Sequence, residues 1–197
     1  MTYKSVFTLS FLLCLGCATS KSSYDEVRDN SPESIEVLIG SPKFGAEATR
    51  MFLTKEGELI REKRNFLGSW KIKSTQISSS KTDSIFAITS RQDFISLPQN
   101  IDQNCSVSFL DRNQVRKGFG GTMTDQSTKS IRLKKTTESK TIIWKECRSL
   151  TESELDKIKS EVYSEEEYKL ILKQNEQISS NLSLLNNLLN TMFSLNN

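Results

Sequence analysis

The chain has 197 residues, four cysteines, no histidine and a formal net charge of +3. That length suits one domain plus an export segment, and so small and dispersed a charge speaks against nucleic-acid binding. Without histidine the commonest general base and the commonest transition-metal ligand are missing, and two of the four cysteines, Cys14 and Cys17, sit close to the N-terminus. No metal and no cofactor are expected, since zinc would lack its usual ligand set.

Met1 to Leu15 is laid out as a secretory signal. Lys4 and the amino group give a positive start, and Val6 to Leu15 is an uncharged, mostly apolar run, too short for a permanent membrane-spanning helix. Small residues follow: Gly16, Cys17, Ala18, Thr19 and Ser20. Cys14-Leu15-Gly16-Cys17 resembles a lipobox, the motif read by the lipoprotein-type signal peptidase. Gly16 and Cys17 match that pattern, while Cys14 stands where the family usually carries Leu. The resemblance implies that residues 1–16 are removed and that Cys17 is the first mature residue, carrying acyl chains such as palmitate. Several chains together anchor stably, whereas one binds a membrane only marginally. The implied location is the cell envelope. Ala18 is not the residue that retains such proteins in the inner membrane, so the outer membrane is the implied address. The alternative is a plain secretory signal cut near Ala18 to Ser20.

Residues 17–33 form the lipidated N-terminus and, from Ala18 to Pro32, a polar, unpatterned stretch that reads as a flexible tether. Beyond it, Cys105 and Cys147 are the remaining thiols. An exported pair is expected to form a disulfide, stabilising by about 3–4 kcal/mol in the chain-entropy model.

Residues 34–148 have mostly strand periodicity. Ile35, Val37 and Ile39 alternate with Glu36 and Leu38. Met51 to Arg64 reads as two strands about a turn at Gly57, and Trp70 and Ile72 alternate with Lys71 and Lys73. Ile85 to Ile88 and Phe94 to Leu97 read as further short strands, followed by Cys105 to Phe109, Ile131 to Leu133 and Ile142 to Trp144. About eight or nine strands bounded by turn signals point to an antiparallel β-sandwich or small β-barrel. Basic residues on outward positions discourage edge-to-edge aggregation. Gly68 and Trp70, with Arg148 late in the domain, resemble the Gly-x-Trp and Arg of lipocalins, which would imply a closed barrel carrying a small apolar ligand. Against that, Trp70 reads simply as core. Gly118-Phe119-Gly120-Gly121 lacks the Lys and Ser/Thr of a phosphate loop and reads as a turn or bulge.

Residues 149–197 are helical. Thr151 and Glu154 form a capping box with Leu150 and Leu155 as staple; Ser164 and Glu167 repeat it with Tyr163 and Tyr168. The second helix carries a seam of Ile171, Ile178, Leu182, Leu185, Leu189 and Met192 at 3-4 spacing, with Asn175 on the same line and no charge after Glu176. Ile178, Leu182, Leu185, Leu189 and Met192 are the candidate surface for a protein partner or a second copy. The same seam could instead pack on the chain's own β domain or lie on a membrane, although a membrane-surface helix usually has basic residues on its polar face. Nucleophile systems that need histidine are impossible. Carboxylate pairs drawn from Glu56, Glu58, Asp93, Asp102 and Asp111 have no marking pattern. The fold class expected is α+β, and the function expected is that of a non-catalytic, lipid-anchored envelope protein that binds a partner or itself.

Overall fold

In the computed structural model of the chain, the residues described are 23–40, 47–64, 70–119, 127–136, 138–145 and 147–195. The chain divides into two compact units, Met1–Asn30 and Ser31–Asn197. The described part of the first is one helix, α1 (Ser23–Asn30), with Arg28 in its last turn, where a cation complements the helix dipole. This helix falls within the stretch expected as a tether.

The second unit begins with four strands in meander, β1 (Ser34–Gly40), β2 (Ala48–Thr54), β3 (Glu58–Arg64) and β4 (Trp70–Gln76). Two later strands, β7 (Lys129–Lys135) and β8 (Glu138–Trp144), complete an antiparallel sheet of order β4-β3-β2-β1-β7-β8. Register follows the alternation. Val37 lies opposite Met51 and Ile131, and Ile35 opposite Leu53 and Leu133. All six are buried in one cluster, and a slip by one residue would turn every one of them to the other face. That other face carries Phe52 and Ile60, both buried, and a cross-strand ion group in which Arg50 meets Glu62 at 3.0 Å and Glu36 at 3.6 Å. The β2–β3 turn depends on Gly57, whose φ is +90°. A Cβ there would stand 2.6 Å from the Ile77 carbonyl oxygen, so only glycine fits.

Two stretches expected as strands are helices. Ile85 to Ile88 lies in α2 (Ser79–Ser90) and Phe94 in α3 (Gln92–Ile95). A four-residue apolar run fits either period. The wider spacing decides here, because Thr82, Ile85, Phe86 and Thr89 form one buried helical stripe. Next, a 3-10 turn (Asp102–Asn104) leads to a hairpin of β5 (Val107–Leu110) and β6 (Arg116–Phe119), a separate two-stranded sheet. The hairpin turn is closed by the Asp111 carboxylate, which accepts from the backbone N–H groups of Asn113 and Val115 at 2.9 Å each. Cys105 precedes β5 rather than lying in it. Of the glycine-rich stretch, Gly118 and Phe119 belong to β6, and Gly120 and Gly121 lie outside the described residues.

The chain ends in α4 (Glu152–Glu161) and α5 (Glu165–Ser194). The Thr151 capping box is complete, with both reciprocal hydrogen bonds. At α5 only half of the second box forms. Ser164 Oγ accepts from Glu167 N–H, while the Glu167 carboxylate accepts from Leu110 N–H at 2.7 Å, so it ties the helix start to β5. The second staple does not close either. Tyr168 is buried but Tyr163 is 55% exposed, because Tyr163 N–H is engaged with the Leu110 carbonyl at 2.9 Å and its side chain is turned outward.

The class is α+β, antiparallel, with two C-terminal helices, as the periodicity implies. Among the described residues the strands do not close into a barrel. The sheet is open, and side chains of α2, α3 and the second half of α5 pack on one of its faces to form the larger core. A second core gathers Val107 and Phe109 with Leu150, Ile158, Val162, Tyr168, Ile171 and Ile178. The β8 edge is covered by a short segment, with Ile143 N–H donating to the Gln99 carbonyl and Ile101 N–H to the Ile143 carbonyl. Among the described residues, β4 is the edge left unpaired.

Candidate functional site

Cys105 and Cys147 are bonded to each other, with Cα atoms 5.4 Å apart across a sequence separation of 42. The spacing lies within the range that a disulfide spans without moving backbone. Cys105 is buried in the larger core, whereas Cys147 packs against both, so the bond joins the start of the hairpin to the end of β8. Asp102 reinforces the same junction, its two carboxylate oxygens accepting from Lys145 N–H at 2.9 and 3.0 Å.

The five seam residues of α5 meet the chain's own core. Leu185, Leu189 and Met192 are buried in the sheet core and Ile178 in the hairpin core, while Leu182 is half-buried against both. Asn175 supplies a local contact. Its Oδ1 accepts from Leu150 N–H at 2.6 Å and its Nδ2 donates to the Leu150 carbonyl at 3.5 Å, which holds the approach to α4. Of the packings open to this helix, the internal one is present, and the seam is covered. The side chains of this region left open are Val115, Tyr163 and Leu170, each more than half exposed.

Arg148 does not pack as a lipocalin arginine would. It is 58% exposed and paired in a two-pronged contact with Glu154, at 2.6 and 2.7 Å. Those bonds, with the Thr151 N–H, pull the Glu154 carboxyl down to about 2 from an ordinary 4.5. Trp144 is 1% exposed and belongs to the sheet core. Gly68 lies outside the described residues, and Trp70 begins β4. Four of the five acidic residues considered for hydrolysis, all but Glu56, have structural partners for their carboxylates. Asp93 pairs with Arg91, Asp102 and Asp111 hold backbone N–H groups, and Glu58 accepts from Ser74 Oγ.

Cys17 lies outside the described residues, as does the signal segment. No helix among the described residues is long and apolar enough to cross a membrane, and among them no group of three or more His, Cys, Asp or Glu is placed to hold a metal ion. Compared with known proteins, the chain matches no family model and no curated protein.

One concentration of charge escapes a reading by net charge. Arg61, Lys63, Lys71 and Lys73 all fall on the same side of β3 and β4, with Arg61 directly opposite Lys73 and Lys63 opposite Lys71. They border a cleft of about 410 Å³ closed by Met51 and by Phe193 of α5. The signal was present as matched parity in two consecutive strands, but the strand register is needed to bring the two halves together.

Proposed function

We propose that the chain is a lipid-anchored, non-catalytic protein of the cell envelope: acyl chains on Cys17 hold it to a membrane, the outer one by the Ala18 criterion, and the Ser31–Asn197 unit engages a protein partner. The observation that carries the reading is Gly16-Cys17 directly after an uncharged apolar run. The Cys105–Cys147 pairing supports it independently, because stable structural disulfides belong to oxidising compartments outside the cytosol. With the α5 seam covered, partner contact in this reading moves to the exposed apolar side chains Val115, Tyr163 and Leu170. A ligand-carrying barrel draws no support from the described strands, which form an open sheet.

The test is fractionation of cells producing the full chain or a Cys17→Ser variant, with cross-linking in intact cells. The native chain is expected in the membrane fraction and the variant in the soluble one. A cross-linked species lost on Tyr163→Ser with Leu170→Ser places the partner. Equal membrane recovery of both chains contradicts the anchor, and an unchanged cross-link pattern contradicts the partner surface.

A further inference from the structure

We infer that the cleft between β3, β4 and the end of α5 binds a phosphate or diphosphate group borne on an organic body. Like charges directly opposite on antiparallel strands repel and cost stability, and here two such pairs stand side by side, Arg61 with Lys73 and Lys63 with Lys71. Among the described residues no acidic side chain lies within ion-pair reach of Lys63, Lys71 or Lys73. Glu62, between Arg61 and Lys63 in sequence, also borders the cleft, and its carboxylate is paired with Arg50 at 3.0 Å.

Edge protection accounts for Lys71 and Lys73, since lysines on a free edge deter strand addition. It does not account for Arg61 and Lys63, which lie on an inner strand. Arg61 is partly used, one Nη2–H donating to the Met192 carbonyl at 3.3 Å in the last turn of α5. Its Nε is buried and meets no acceptor among the described residues, and burial holds the guanidinium below its ordinary value. An anion in the cleft would relieve both the repulsion and the orphaned donor. Residues opposite one another, and those two apart on one strand, put the four cations at corners roughly 5 by 7 Å apart at Cβ. Long side chains can converge from there on one phosphate or two linked ones, the anion that Lys and Arg bind best in groups. Phe193, 37% exposed, and Met51 give the cleft an apolar wall, so the phosphate is attached to something that can lie against it. The volume is that of a small-ligand site. The site stands apart from the manner of anchoring, and either a soluble compound or a lipid headgroup carries the required chemistry.

The test uses the full chain in neutral detergent and reads lysine acetylation at low conversion by peptide mass spectrometry. Two probes are compared, inorganic pyrophosphate in solution and phosphatidylglycerol doped into the micelles. Lys63, Lys71 and Lys73 are expected to be protected severalfold while the exposed α4 and α5 lysines Lys157, Lys169 and Lys173 are not. Protection by pyrophosphate identifies a soluble source, and protection by phosphatidylglycerol alone a headgroup. In a Lys71→Glu, Lys73→Glu variant, altered only at exposed edge positions and checked for folding by circular dichroism, protection of Lys63 should vanish. Protection by neither probe, protection spread evenly over the control lysines, or protection of Lys63 that survives in the variant overturns the site.

Discussion

Around the six-stranded sheet, side chains are fixed by register and volume: Val37 sits between Met51 and Ile131, and Leu185 and Met192 of α5 fill the layer above. Around the β5–β6 hairpin the strands are only four residues long, and polar ties share the task. The Glu167 carboxylate holds Leu110 N–H, Asn175 holds Leu150, Lys117 bridges Asp111 and Glu161 at 3.3 and 2.9 Å, and the disulfide closes the junction. An isolated two-stranded hairpin is marginal in water, so the smaller core depends on those ties more than the larger, which shares the disulfide through Cys105. The single helix α5 runs through both, which makes it the element whose loss neither core survives.

That contrast can be broken at α5 first. Leu185→Ala removes a fully buried side chain and is expected to cost about 2–5 kcal/mol, measured by denaturant unfolding, with amide exchange rising in both cores together. Removing the disulfide by Cys105→Ala with Cys147→Ala is expected to cost about 2–4 kcal/mol. Here exchange at Val107 and Phe109 should rise well above that at Val37 and Ile131. An equal rise would erase the distinction between the cores. Glu167→Ala cuts a charged hydrogen bond to the hairpin and should cost about 1–3 kcal/mol, again seen first in hairpin exchange. The smallest effect belongs to the Arg148–Glu154 pair. Glu154 titrates near 2 in the folded chain against an ordinary 4.5. Its contribution is therefore present above pH 4.5 and fades as pH falls from there toward 2. Because Arg148 is largely exposed, the size is below about 1 kcal/mol. A melting-temperature gap between native chain and Glu154→Gln that is present at neutral pH and narrows in acid is the expected pattern.

Legibility in the sequence divides along the same line. The sheet strands β1, β2, β3, β7 and β8 announce themselves by period two, and the helix starts by Thr151–Glu154 and Ser164–Glu167. The α2 stripe is hard to see in sequence because Thr82 and Thr89, half of its buried positions, are polar. Strand β6 left no trace, since Arg116-Lys117-Gly118-Phe119 has no apolar alternation and exists by pairing with β5. At the candidate sites the Cys105–Cys147 pairing follows from chemistry and counting alone. Which side of α5 is covered does not, because a helix seam looks the same whether it meets its own sheet or another chain. The basic cleft was hidden for a related reason: its four cations are dispersed in sequence and become a cluster only through register.

The most direct measurement is the mass of the mature N-terminal peptide from isolated membranes, taken beside a Cys17→Ser variant. A peptide that begins at Cys17 and carries acyl chains, absent from the variant, is the expected result for a lipid-anchored envelope protein. An unmodified peptide beginning at another small residue would contradict it and leave a secreted product without an anchor.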